Sequence, residues 1–399
     1  VDEPREVIIR FHEIALKGKN RPVFIRALVD NVRRATAGLG VQRVWDERMV
    51  VRCTLTPEAD WPLVQKRLSQ VFGSVKFTLA HRVPHDYDSI ANMVTEITRE
   101  QSFNTFRITA HRADKRFPIP SKEMNIRLGD LVRETTGASV NLSHPELDIH
   151  VEVLTNGAFI YTDGFAGAGG LPVGTAGRVV TLMSGGIDSP VAALRVMRRG
   201  CQTTLVHFHS FPLVEGRSRD KAKELAELLT EYQYDTRLLL VPFAEIQKQM
   251  LLTVPPPYRV VMYRRFMMRI AQEIAKREGA LALVTGDSIG QVGSQTLRNM
   301  ATIEEAIDMP VLRPLVGMDK QEITNQAIAL NSYEISILPD EDCCTLFVPK
   351  SPSTRVRVEE VLPMEAAMNV DAMVAQAVEE AELVEYHIGV PAMAEQAAR

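Results

Sequence analysis

The chain is short of several things that would otherwise decide its class. It has only four cysteines in 399 residues, too few for a disulfide framework, so a reducing, cytoplasmic location is expected. No apolar run approaches the ~18 residues of a membrane span. The opening Val1-Asp2-Glu3-Pro4-Arg5 lacks a signal-peptide pattern, and no internal repeat is evident. A net charge of −4 excludes a uniformly basic coat but leaves room for local basic patches. What remains, 45% hydrophobic and 24% charged, is ordinary for a globular protein with room for about two or three domains.

What is present is the run Ser184-Gly185-Gly186-Ile187-Asp188-Ser189-Pro190, between a strand-like stretch (178–183) and a helix-like one (191–197). Such a turn aims backbone N–H groups and a positive helix end at an anion. Ser184 and Ser189 can add hydroxyl donors. Asp188 would repel phosphates unless a cation intervened, and Mg²⁺ bridging carboxylate and phosphates reconciles the two. The common phosphate loop ends in Gly-Lys-[Ser/Thr], and no lysine stands here. The bland alternative is a tight strand–helix turn.

Three stretches differ in character. The first, to residue 56, reads as a strand (7–11), a helix (21–36) and a hairpin (41–45 and 49–55), with a basic turn holding Lys17 and Lys19. The second, 57–165, alternates helices (61–71, 89–100) with strands (75–79, 105–110, 148–153, 158–162). Its segment 107–122 carries Arg107, Arg112, Lys115, Arg116 and Lys122 with Phe117 among them. That suits an RNA backbone, or is simply a solvated surface. A Gly-rich stretch, 166–177, precedes a strand and reads as a flexible hinge. The third stretch, 178–352, alternates strands (178–183, 203–207, 236–241, 281–285) with helices, including 217–232 and 258–277. It implies a parallel sheet covered on both faces. The acidic tail from 355 reads as helical.

Ligands on such sheets lie beyond the carboxyl ends of strands. There stand Leu182 and Met183 before the loop, then His207 and Phe208, which could meet an adenine or be a core Phe with solvent-facing histidines. The run 285–297, with three glycines and two glutamines, reads as a polar binding loop. Lys320, near a helix start, could reach a phosphate or be merely solvated. Arg264 neighbours Arg265 and Arg269, which share a helix face. The adjacent Cys343 and Cys344 follow three acids. They lack zinc spacing and suit sulfur transfer better, given a local cation to offset those acids. Cys53 and Cys201 read as small buried hydrophobes.

The loop SGGIDSP, with GAGGLPVG, VHFHS, TGDSIGQVGSQTL, RPLVGMDKQEI and EDCC, resembles the tRNA uracil 4-sulfurtransferases, or 4-thiouridine synthetases, over almost the whole chain. The resemblance implies an α/β multidomain protein. Ferredoxin-like (1–56) and THUMP RNA-binding (57–165) α+β domains would be followed, after the 166–177 linker, by a parallel-sheet PP-loop ATP pyrophosphatase domain (178–399) of the adenine-nucleotide α-hydrolase-like class. It implies nucleotide contacts from Leu182, Met183, His207, Phe208, Arg264, Gly286 and Gln295, beside Ser184, Gly185, Gly186 and Ser189 of the loop. Asp188 and Lys320 would be catalytic, Asp188 would hold the metal, and Cys344 is favoured over Cys343 as sulfur carrier.

The implied reaction adenylates O4 of the uridine at position eight of tRNA with ATP and Mg²⁺. Persulfide sulfur then replaces AMP. A cysteine desulfurase is the expected donor, tRNA the partner, and a homodimer the expected state, with no membrane role. Longer members carry a rhodanese domain, which this chain is expected to do without. Sulfur is therefore expected on the cysteine pair or a partner, and the link to thiamine thiazole synthesis is weakened. The competing readings are a PP-loop ligase for another substrate and an ATP-regulated tRNA-binding protein.

Overall fold

The computed structural model describes residues 5–47, 49–99, 101–155, 157–162, 164–212, 217–339 and 352–393. The chain divides into two units, Val1–Leu171 and Pro172–Arg399.

The first unit runs β1 (Arg5–Arg10), α1 (Arg21–Ala35), β2 (Val41–Glu47), β3 (Val50–Leu55), α2 (Trp61–Ser69), β4 (Lys76–Val83), α3 (Tyr87–Arg99), β5 (Thr105–Arg112), α4 (Ser121–Thr136), β6 (Ser139–Val140), β7 (Leu147–Leu154), β8 (Gly157–Tyr161) and β9 (Phe165–Ala166). One sheet joins them in the order β2-β3-β1-β4-β8-β7-β5-β6, with β9 on β4. The pairs are antiparallel except for β5 with its two neighbours. Helix α4 was not expected. It buries Met124, Leu128 and Val132 at four-residue spacing against Phe106 and Ile149, starts after Pro120 and ends on Gly137 in the left-handed region.

Because of α4, the basic segment is not a continuous loop. Arg107 and Arg112 lie on β5 and Lys122 on α4. Phe117 is a core residue, 2% exposed, so it offers no face for a base to stack on.

The second unit runs β10 (Arg178–Leu182), α5 (Asp188–Arg198), β11 (Gln202–His209), α6 (Arg217–Gln233), β12 (Asp235–Pro242), α7 (Ala244–Thr253), α8 (Arg259–Arg277), β13 (Leu283–Val284), α9 (Leu297–Glu304), β14 (Val311–Leu312), α10 (Lys320–Leu330), α11 (Tyr333–Ser336), α12 (Val358–Ala366), α13 (Val370–Glu379), β15 (Glu382–His387) and β16 (Val390–Met393). The sheet order is β14-β13-β10-β11-β12-β15-β16. Strands β10 to β14 are parallel, and β10, β11 and β13 are largely buried on both faces. Helices α8 and α13 cover one side and α5 and α10 the other.

The tail is a correction to the helical reading. After α12 and α13 it forms a β-hairpin whose β15 pairs antiparallel with β12. Val384 and Tyr386 face inward at period two, while Glu382 and Glu385 pair with Arg219 and Arg237. Each end of the glycine-rich stretch is bonded to its own unit. Gly167 and Gly169 donate to Val75 and Ser74, and Ala176 donates to Gly200.

Strand order now locates a crevice. From β10 the chain moves outward through β11 and β12, then returns to place β13 on the other side of β10. Ligands on open parallel sheets bind beyond the carboxyl ends of strands at such a reversal. The loop after β10 and the one after β13 meet there.

Candidate functional site

The loop after β10 is braced by its own hydroxyls, and the donors it leaves free are at the helix start. Gly185 has φ +81°, a left-handed turn that favours glycine. Ser189 Oγ accepts from the Ser184 N–H at 3.1 Å, and Ser184 Oγ accepts from the Gly186 N–H at 3.3 Å. Helix α5 then begins at Asp188 with no side-chain cap, so first-turn N–H groups remain for an anion.

Gly286, just after β13, lies against this helix start. A Cβ there would come within 3.0 Å of the Asp188 and Ser189 backbone. The glycine is what lets the two loops touch.

Asp188 is held from two sides. Lys320 Nζ is 3.2 Å from Oδ1, and Gln291 Nε2 donates to Oδ2 at 3.0 Å. Lys320 is the first residue of α10, behind a capping box formed by Asp319 and Glu322. Ser288 Oγ donates to Met318 O at 2.7 Å and the Ile289 N–H to Val316 O at 3.2 Å. These bonds fasten the loop after β13 to the segment that delivers Lys320.

Beside this loop opens a cavity of about 220 Å³. One wall is apolar, from Leu182, Met183, Phe208, Val260, Met267 and Met268. The other is polar, from Arg264, Asp287, Ser294 and Gln295, and Ser184, Asp188 and Ser189 stand at one end. An apolar slot with convergent polar groups beside a phosphate-type loop matches the two halves of a nucleotide.

Asp287 organises the polar wall. Its Oδ1 accepts from Arg264 at 2.6 Å and Gln295 at 3.3 Å, and its Oδ2 from Thr285 at 2.7 Å. Arg313 Nε lies 3.5 Å from Oδ2. Burial alone would raise the carboxyl's pKa; the Arg264 charge, the Thr285 and Arg264 hydrogen bonds and the Arg313 charge hold it below its ordinary value instead.

Several other residues that the sequence brings forward do not line the cavity. The His207 ring leaves the cavity to Phe208, its neighbour on the opposite strand face. Its Nδ1 pairs with Met183 O at 2.8 Å and its Nε2 with Ser218 Oγ at 3.4 Å, so it braces the loop's entry. Arg265 is buried and bonds Glu365 and Thr302 O, and Arg269 shares Glu365. Only Arg264 of the three lines the cavity. Cys53 and Cys201 are both buried. Burial pushes the Cys53 thiol up to about 12 and raises that of Cys201. Cys343 and Cys344 lie outside the described residues.

In the first unit Lys17 sits 5.0 Å over Phe24 and 4.0 Å from Glu13. Arg107 pairs with Asp148, Arg112 donates to Phe117 O, and Arg116 pairs with Asp114. Lys19, Lys115, Arg116 and Lys122 are exposed. Among the described residues, no group of three His, Cys, Asp or Glu side chains is placed to hold a metal. Asp188 alone fits the usual Mg²⁺ pattern of one or two carboxylates completed by substrate phosphates.

Sequence reasoning did not single out Asp287, Gln291, Ser294 or the methionines of α8. The first three stood inside the polar run 285–297, whose donor-rich composition was the available signal. The methionines looked like any core helix stripe.

Comparison with known proteins fits this geometry. Residues 174–370 match the family described as thiamine biosynthesis protein (ThiI), 84–163 the THUMP domain and 6–78 the ThiI ferredoxin-like domain. The chain is 49% identical to a probable tRNA sulfurtransferase of Thermus thermophilus, over 94% of this chain and 92% of that one. It is 42% identical to one from Moorella thermoacetica, over 95% and 97%. It is also similar to a crystal structure of a 4-thiouridine synthetase–RNA complex with bound ATP, with a TM-score of 0.90 at 35% identity, covering 96% of this chain and 100% of that one. A loop with an uncapped helix start, a carboxylate and lysine across its mouth and an apolar slot beside it thus stand on the domain series of these relatives, and the chain belongs to the tRNA sulfurtransferase (4-thiouridine synthetase) family.

Proposed function

We propose that this protein uses ATP to convert the uridine at position eight of tRNA into 4-thiouridine. The observation that carries the reading is the meeting of Asp188 and Lys320 beside a slot lined by Phe208, Met183 and Arg264. Uracil O4 is a poor leaving group. Its attack on the α-phosphate of ATP releases pyrophosphate and makes AMP the leaving group. The N–H groups at the start of α5 and the Lys320 ammonium meet the charge on the phosphates. Asp188 would hold the Mg²⁺ that accompanies ATP, and that ion would supply further neutralisation there.

Sulfur arrives from a cysteine desulfurase as a persulfide on Cys344. Its terminal sulfur attacks C4 and expels AMP, and Cys343 opens the remaining S–S bond, leaving a disulfide for an external thiol to reduce. The exposed Lys19, Lys115, Arg116 and Lys122 contact tRNA phosphates together with Lys17, Arg107 and Arg112. The protein works as a cytoplasmic homodimer.

The test combines unmodified tRNA, ATP–Mg²⁺, cysteine and a cysteine desulfurase, with 4-thiouridine read by mass spectrometry against AMP. Matching amounts support the reading. Binding of tRNA with neither product would favour an ATP-regulated tRNA-binding protein. Cys344→Ser should abolish 4-thiouridine, and full thiolation by that variant would remove Cys344 from the scheme.

A further inference from the structure

The strongest unspent group in the second unit is an oxygen. Gln295 is 8% exposed, lines the cavity, and its Oε1 has no hydrogen-bond partner among the described residues. A buried acceptor without a donor is costly unless a ligand supplies one.

The direction of that oxygen is forced. An ionised carboxylate only accepts hydrogen bonds. Asp287 Oδ1 lies 3.3 Å from the Gln295 amide nitrogen, so the NH₂ must face Asp287 and the oxygen must face away. The reverse orientation would set two acceptors against each other. Asp287 cannot turn to serve anything else, because Arg264 and Thr285 also donate to it and Arg313 stands beside it. Arg264 is committed in turn, to Asp287 and, at 3.2 Å, to Ser294 Oγ.

We infer that Asp287 is the positioning residue that sets base preference in this pocket: it locks the Gln295 carboxamide so that Oε1 accepts from the 6-amino group of adenine and rejects a 6-oxopurine. The inference rests on the proposal that the cavity holds a purine nucleotide. A 6-amino group donates to Oε1, whereas the 6-oxo group of inosine or guanine meets it oxygen to oxygen. With Asp287 ionised, the amide cannot flip to accommodate the wrong base.

Equilibrium binding of ATP and ITP to the full chain, by titration calorimetry, tests this without any thiolation step. Wild-type protein should bind ATP roughly 10- to 100-fold more tightly than ITP, the range expected for one buried hydrogen bond replaced by a clash. Asp287→Asn can face Gln295 with either its oxygen or its NH₂, so the amide becomes free to turn. The ATP:ITP ratio should then fall to within about threefold, partly by tighter ITP binding. Because Asp287→Asn leaves Arg264 and Arg313 less compensated, Gln295→Met provides a second route. It keeps the shape, removes the amide, and should collapse the ratio by weakening ATP. A merely structural role for Asp287 would weaken ATP and ITP alike. An unchanged ratio in the folded Asp287→Asn protein, or in Gln295→Met, overturns the inference. Failure to form 4-thiouridine while the binding ratio behaves as described would count against the proposed reaction and not against this assignment.

Discussion

Lys320 and Asp188 stand 132 positions apart in sequence, yet their charged groups are 3.2 Å apart. Their side chains are 56% and 21% exposed, so solvent screens the pair and it adds little to stability. Lys320→Ala should therefore leave the unfolding midpoint nearly unchanged, within about 0.5 kcal/mol. AMP formation should drop by about 10²- to 10³-fold, the usual cost of removing one charged group from a phosphate-transfer site. A thermal melt and a single-turnover AMP assay on the same sample separate the two effects. A large loss of stability would mean that the lysine is structural.

Gly286→Ala should act on the loop it touches. The new methyl would sit 3.0 Å from the backbone of Asp188 and Ser189 and must push one loop away from the other. A displacement of about 1 Å near reacting groups costs on the order of 10²-fold in rate. Kinetics at saturating and limiting ATP would show the loss, and wild-type behaviour would mean that the loops part without consequence.

The buried cluster on α8 is a matter of stability. Burial would raise the Glu365 carboxyl's pKa, but hydrogen bonds and charge from Arg265 and Arg269 bring it down to about 2. Its stabilisation is therefore fully present above the ordinary range near 4.5 and is lost as pH falls through about 2. Glu365→Gln leaves Arg265 buried without its main countercharge and should cost about 3 kcal/mol in urea unfolding at neutral pH. A change below about 0.5 kcal/mol would show that Glu305 suffices as partner.

His209 carries the opposite kind of pH dependence. Burial first, then the Arg219 and His207 charges, lower its pKa from 6.5 to about 4. The unfolded chain thus binds a proton between those values that the folded chain refuses. Stability should fall as pH drops from about 6.5 toward 4, by about 2 kcal/mol between pH 7 and pH 5 from this residue alone. His209→Gln should flatten that slope, and denaturant melts at the two pH values would reveal an unchanged slope if another group is responsible.

Local grammar made much of this legible. The strand–loop–helix around Asp188 announces itself within a dozen residues because backbone conformation, helix start and hydroxyl donors all have to be encoded there. The parallel strands were readable as apolar runs for the same reason. What stayed hidden depends on distant pairing. The β15–β16 hairpin reads as an acidic helix until Arg219 and Arg237 are seen to receive Glu382 and Glu385. Phe117 looks like an RNA-facing aromatic until α4 closes over it. The job of Gln291 appears only when β13 is set beside β10, since its partner Asp188 follows β10, and that of Asp287 only when Arg264 of α8 and Arg313 are brought to it. Cys343 and Cys344 rest on the motif alone.

One strand of the first unit has a consequence for how its parts could ever be separated. The matched ferredoxin-like region ends at 78 and the THUMP region begins at 84, whereas β4 spans Lys76–Val83 and pairs with β1 on one side and β8 on the other. The seam between the two inherited modules thus runs through a shared plank. A THUMP fragment cut at 84 would lose the neighbour of β8 and present a raw sheet edge, the kind of surface on which chains stack. Any graft of this half onto another protein has to carry β4 with it, so the unit of exchange is larger than either module.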